Sequence, residues 1–172
     1  MGFLAVLLSA LISLAPGFAL RPTPEAADAG VTLALGTDGC ASNNDLDMFG
    51  ETRTAALLAK AVAMDASALD AATALRAATL GGAKALGFDH LVGSIEPGKQ
   101  ADLVLVDMAQ VETQPLHHVL SQLVYATGRH QVTDVWIAGR AKLHDRHLVD
   151  MVEPGLVANA RQWRDTIAGV RK

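Results

Sequence analysis

Apolar positions along this chain fall into stretches of different period, and each period predicts a different element. Val31-Thr32-Leu33-Ala34-Leu35 shows no polar alternation beyond Thr32, which is how a strand buried on both faces of a parallel sheet reads. Just before it, Thr23 as N-cap, Pro24 at the first helical position, Glu25 in the first turn and Gly30 as a stop predict one short helix. A helix followed by a strand is an α/β unit. After the strand, Ser42-Asn43-Asn44-Asp45 supplies capping chemistry, and Asp45 and Asp47 suit the dipole of a helix from about Leu46 to Met64. Its Ala- and Leu-rich part, Thr54 to Ala63, has strong helix propensity. Asp70 can cap a third helix through about Leu80, where Gly81-Gly82 is expected to break it; Ala83 to Leu86 then makes a last turn ended by Gly87.

The pattern changes at Val92. Gly93-Ser94-Ile95-Glu96-Pro97-Gly98-Lys99 is rich in turn residues, and Ala101 to Asp107 reads as a strand bounded by carboxylates. Val132 to Ala138, Gly139-Arg140 and Ala141 to Leu143 predict a hairpin with Gly at the turn. Pro154 to Val170 predicts a closing helix with Trp163 on its apolar side. No internal repeat or low-complexity segment interrupts this order.

Composition bounds the picture. A chain of 172 residues, 51% hydrophobic and 19% charged, can bury a core. Its 14 basic and 18 acidic residues are scattered singly and leave a net charge of -4, so no basic stripe favours a nucleic-acid partner. Single Cys40 excludes an internal disulfide framework and a thiol pair for structural zinc, in keeping with a reducing compartment. It reads as a small packing residue, since no Lys, Arg or His flanks it to lower its pKa. Phe3 to Ala15 is almost wholly apolar, and Gly17-Phe18-Ala19 offers the small-x-small pattern of signal cleavage. Against export, no Lys or Arg precedes the run, and Pro16-Gly17 interrupts it short of the roughly 20 residues that span a bilayer. The expectation is a cytoplasmic protein in which residues 1–20 are a remnant of a larger fold, with export as the alternative and membrane association disfavoured.

The candidate chemistry sits at Gly36-Thr37-Asp38-Gly39, where the apolar run opens into a loop. Active sites of α/β barrels are built at strand C-terminal ends, so a carboxylate there reads as a metal ligand. The plainer reading is a turn aspartate satisfied by nearby backbone amides. A complete eight-stranded barrel takes roughly 250 residues, so this chain is read as holding part of one.

Gly36-Thr37-Asp38-Gly39-Cys40-Ala41-Ser42-Asn43-Asn44-Asp45-Leu46-Asp47-Met48-Phe49 resembles the segment after the last barrel strand of metal-dependent amidohydrolases, in the branch of 5-methylthioadenosine/S-adenosylhomocysteine deaminases and triazine hydrolases. Gly93-Ser94-Ile95-Glu96-Pro97-Gly98-Lys99-Gln100-Ala101-Asp102-Leu103-Val104 is similar to that family's return from the barrel into a small β-sandwich domain. Ser121-Gln122-Leu123-Val124-Tyr125-Ala126 and Val135-Trp136-Ile137-Ala138-Gly139-Arg140 resemble later parts of the same domain.

The resemblance implies an α/β fold, the C-terminal part of a TIM-like (β/α)8 barrel plus strands of the β-sandwich. It divides the chain into residues 1–20, an apolar leader or remnant; 21–91, the last barrel strand with flanking helices; 92–150, the sandwich portion; and 151–172, a C-terminal helix. It implies a hydrolytic deaminase of adenine-type nucleosides acting on a small-molecule substrate, with a triazine-type hydrolase or a non-catalytic remnant or partner module as alternatives, and it allows a homo-oligomer. In the family a divalent metal, zinc or else iron, activates water for attack on the carbon bearing the leaving amine. Asp38 would ligate that metal and take the proton of the attacking water, and Ser42, Asn43 and Asn44 would line the substrate mouth or merely cap the next helix. The family's remaining ligands are a His-x-His pair and a further His upstream, whereas all six histidines here lie at or beyond His90. A catalytic zinc takes three or four protein ligands, so the chain alone is expected to hold no catalytic metal and to be inactive. His117-His118 reads as a solvated pair, and His144-x-x-His147, which follows a strand, as surface histidines. Asp102 and Asp107 read as sandwich turn residues.

Overall fold

The computed structural model describes residues 32–40 and 43–170; the expected leader, the helix beginning at Pro24, Val31 and Ser42 lie outside them. The strand expected here does not form as such: Thr32 to Leu35 adopts no regular element, because among the described residues no neighbouring strand supplies a ladder for it. Helices hold it instead: the Leu35 N–H donates to the Ala77 carbonyl at 3.1 Å, and the Leu33 carbonyl lies against Gly81.

Helix α1 (Met48–Ala63) starts where capping chemistry predicts, with the Asp47 side chain accepting from the Phe49 N–H at 3.0 Å. It ends at Met64 in the left-handed conformation, φ 50°. Thr52, Ala55, Ala56 and Ala59 are buried, the i, i+3, i+4, i+7 spacing of one helical face. These small side chains let the backbone of α1 approach its neighbours closely. The core they enter comprises Leu69, Ala71, Ala74 and Val124, flanked by the partly buried Leu33, Leu35, Leu75 and Tyr125.

Helix α2 (Ala71–Arg76) is capped by Asp70, whose side chain accepts from the Thr73 N–H at 2.8 Å. Gly81-Gly82 does not break it, contrary to the expectation from sequence. The chain continues through a π-helical turn, Ala77–Gly81, into α3 (Gly82–Ala85), and stops at Gly87, φ +76°. The reason is tertiary. A Cβ on Gly81 would meet the backbone carbonyl of Leu33, so this glycine provides close approach between helix and apolar run rather than a stop.

Ser121–Ala126, whose resemblance lies with the sandwich, is mostly helical: α4 (Val119–Tyr125) packs on α1 and α2. His118, read as solvated, is its N-cap, with Nδ1 accepting from the Ser121 N–H at 3.2 Å. Arg53 of α1 reaches its C-terminal end, donating to the carbonyls of Thr127 at 2.6 Å and Val124 at 3.4 Å.

The second layer is an antiparallel sheet in the order β1 (Leu103–Val106), β2 (Val132–Ile137), β3 (Arg140–His144), β4 (His147–Leu148). Ala138 and Gly139 link β2 to β3 with φ of 50° and 75°, the signature of a tight hairpin turn. Asp102 Oδ1 accepts from the Ala138 N–H at 2.7 Å, and Asp107 Oδ1 from the Ala109 N–H at 2.8 Å, so both aspartates satisfy local backbone. The closing helix, α5 (Glu153–Val170), carries Leu156, Val157, Trp163 and Ile167 all exposed among the described residues. No helix of the described residues is long and apolar enough to cross a membrane.

Candidate functional site

Asp38 lies three residues beyond Leu35, the end of the helix-bound segment, and directly follows Gly36-Thr37. Its backbone is left-handed, φ 61°, a conformation that Asp tolerates better than most residues. The Gly39 N–H donates to Asp38 Oδ1 at 2.7 Å, and the Thr37 hydroxyl donates to the Asp38 carbonyl at 3.1 Å. Asp38, Gly39 and Cys40 are all exposed. The loop therefore presents a carboxylate on the surface, oriented through its own neighbours.

Asn43 is half-buried and doubly engaged. Its Oδ1 accepts from the Asp45 N–H at 3.0 Å, an Asx turn, while its Nδ2 donates to Glu51 Oε1 at 2.7 Å. Its N–H donates to the Gly39 carbonyl at 3.0 Å, closing the loop on the residue after Asp38. Asn44 is exposed. Arg129, from the far side of the sequence, donates to the Asp45 carbonyl at 2.9 Å and pairs with the Asp45 carboxylate at 2.5 Å. Glu51 and Arg129 thus position this loop although sequence reading singled out neither. Glu51 carried only a first-turn signal, and the contacts span 8 and 84 residues, beyond any local pattern.

Among the described residues no three His, Cys, Asp or Glu side chains converge as a metal site. His90 and His117 are exposed, and His130 approaches Glu112 at 3.9 Å with both side chains in solvent. His144 pairs with Asp134 at 2.7 Å on the sheet. A concavity of about 510 Å³ opens beside β1, lined by Leu105, Val106, Met108, Leu116 and Thr133 among others; it does not include Asp38.

The model of the amidohydrolase family matches residues 19–142, and the chain belongs to that family. The α/β arrangement of helices and a four-stranded antiparallel sheet is shared with its barrel enzymes. Within the family, the chain is 48% identical over 150 residues to the 5-methylthioadenosine/S-adenosylhomocysteine deaminase of Teredinibacter turnerae, covering 87% of this chain and 34% of that protein. It is 49% identical over 129 residues to the deaminase of the same name from Moorella thermoacetica, covering 75% and 30%. Among solved structures, an adenosine deaminase from Xanthomonas campestris with bound zinc superimposes with a TM-score of 0.84 at 67% identity, covering 96% of this chain and 37% of that one. An atrazine chlorohydrolase from Arthrobacter aurescens complexed with zinc gives a TM-score of 0.80 at 29% identity, covering 93% and 35%. The chain spans about a third of the length of the curated relatives it matches.

Proposed function

We propose that this chain is part of a zinc-dependent hydrolytic deaminase of adenine-type nucleosides such as 5-methylthioadenosine and S-adenosylhomocysteine, and that Asp38 is its contribution to the metal centre. The observation that carries the reading is the gradient of similarity: 67% identity to a zinc-bound adenosine deaminase against 29% to the triazine hydrolases. Asp38 follows directly on the apolar run packed against the helices, where a ligand at the end of a barrel strand would stand. The four strands of the described residues fall between Leu103 and Leu148, which supports a sandwich portion within 92–150, whereas α4 of that span packs on α1 and α2 of the 21–91 portion.

The described residues do not fit a complete metal site. No three His, Cys, Asp or Glu side chains converge among them, where a catalytic zinc takes three or four protein ligands. A metal bound there would supply Lewis acidity and lower the pKa of water. What this chain's own residues do is hold the carboxylate and shape its surroundings. The Gly39 N–H fixes one oxygen of Asp38, leaving a negatively charged group in position to accept a proton, and Asn43, tied by Glu51, sets the loop edge where substrate would enter. Exposed Asn44 is proposed for the same edge, and Ser42, outside the described residues, only from its place in the sequence. By itself the chain is proposed to turn over no substrate, the remnant or partner-module alternative, since a catalytic zinc takes three or four protein ligands.

A chimera tests this: the chain's residues 32–172 replace the matching segment of the Xanthomonas campestris adenosine deaminase. Ammonia release from methylthioadenosine should persist in the chimera, fall to background with Asp38→Asn, and be absent from the 172-residue chain with added zinc. Full activity in the Asp38→Asn chimera would refute the assignment of Asp38. Atrazine turnover without deamination would move the substrate class to the triazine side.

A further inference from the structure

The hairpin joining β3 to β4 aligns three side chains that the sequence leaves apart. In the antiparallel ladder His144 pairs directly with His147, and Val135 pairs with Leu143, which sets Asp134 opposite His144. Directly paired residues share a face of a sheet, so Asp134, His144 and His147 form one row across β2, β3 and β4. The Asp134 to His144 contact confirms the shared face, with Nδ1 and Oδ1 2.7 Å apart. An ionised carboxylate can only accept, so the imidazole donates from Nδ1 and carries its lone pair on Nε2. Asp134 is buried and also accepts from the Asp145 N–H at 3.4 Å, whereas the His144 side chain is 76% exposed and His147 is exposed. The turn between them is a tight two-residue turn: Asp145 and Arg146 both have positive φ, 45° and 66°, and the Arg146 N–H donates to the Thr133 carbonyl at 2.8 Å.

We propose that His144 and His147 form a two-imidazole site for a late divalent transition ion, with Asp134 as the carboxylate that orients His144. Cross-strand partners hold their Cβ atoms roughly 4.5–5.5 Å apart, a span over which two imidazoles can close on one ion at about 2.0–2.1 Å per nitrogen. Imidazole nitrogen selects copper, nickel and zinc over magnesium and calcium. A carboxylate on the distal nitrogen of a ligating histidine fixes its tautomer and raises its basicity. Water completes the coordination, since the sheet offers two nitrogens and no third donor. Of the neighbouring cations, Lys142 is engaged with Asp150 at 2.7 Å, and the charge of Arg146 bears on Asp107. The site uses neither Asp38 nor its loop, so its test is independent of the deaminase reading.

Metal-stripped 172-residue protein is titrated calorimetrically with Ni²⁺ and with Zn²⁺. The expected result is one ion per chain, with affinity falling at least about tenfold in His144→Gln and in His147→Gln, and by about 10–100-fold in Asp134→Asn. The double variant His117→Gln/His118→Gln should bind as the parent does. Copper loading read by electron paramagnetic resonance should report two imidazole nitrogens, dropping to one in either single variant. Both substituted histidines are exposed, and unchanged circular dichroism confirms that the fold survives. Parent-like binding in either single variant, or loss of binding in the His117/His118 double variant, would overturn the proposal.

Discussion

Substituting the two adjacent glycines of the third helical stretch should move stability in opposite directions. Both lie in helical backbone, where replacing Gly by Ala gains about 1 kcal/mol of propensity. At Gly82 nothing opposes the gain, because the new methyl would meet only the Ala77 carbonyl, at 3.9 Å. Gly82→Ala is therefore expected to stabilise by up to ~1 kcal/mol. At Gly81 the methyl would collide with the Leu33 carbonyl and sit 3.0 Å from that of Arg76, both backbone atoms that cannot rotate away. Overpacking of this kind costs about 1–3 kcal/mol, so Gly81→Ala should be destabilised by up to ~2 kcal/mol net of the propensity gain. For a chain of this size each kcal/mol shifts Tm by about 2–4 °C. Urea and thermal unfolding of the two variants beside the parent would measure the split. Because Leu33 leads to Asp38, Gly81→Ala should also disturb amide resonances from Leu35 to Gly39, and Gly82→Ala should not. Equal stabilisation by both alanines would refute the claim that Gly81 exists for close approach.

Asp70→Ala should cost about 1 kcal/mol through loss of the cap on the Thr73 N–H. The backbone N–H of Thr73 holds the Asp70 carboxyl below its ordinary value of 3.8, so the unfolded chain binds that proton more readily. The cap's charge-dependent stabilisation is fully present above the unfolded value and disappears as pH falls through the folded one; Asp70→Asn, which caps without titrating there, should flatten that acid limb in urea titrations. Arg53→Met should leave the Thr127 and Val124 carbonyls without their guanidinium donor and cost about 1–3 kcal/mol, with hydrogen exchange rising first in α4; unchanged protection there would count against the link. In the β2–β3 turn, Ala138→Asn would create an Asn-Gly pair suited to two positive φ angles and should stabilise by roughly 0.5–1 kcal/mol, while Gly139→Ala should lose about 1–2 kcal/mol, both read from the urea midpoint.

Local chemistry made much of this protein readable from its residues. Asp47 and Asp70 cap the helices that follow them, Ala138-Gly139 turns the hairpin, and Asp38 stands at the exit of an apolar run, because caps, turns and short periods act within a few residues. The family resemblance rested on the same kind of contiguous motif, and the match over residues 19–142 agrees with it. Other features depended on contacts that no local pattern encodes. Gly81-Gly82 looked like a stop, and became a passage through a π-helical turn only because the Leu33 carbonyl approaches there. Glu51 bonding Asn43, Arg129 bonding Asp45 and Arg53 closing α4 onto α1 join residues 8 to 84 positions apart. His144 and His147 read from spacing alone as surface residues; strand register placed them side by side with Asp134 behind one of them. Residue order determines what the backbone does over one turn or one strand, but which carbonyl, carboxylate or imidazole meets another is decided when those elements pack, since a long-range contact depends on both partners at once.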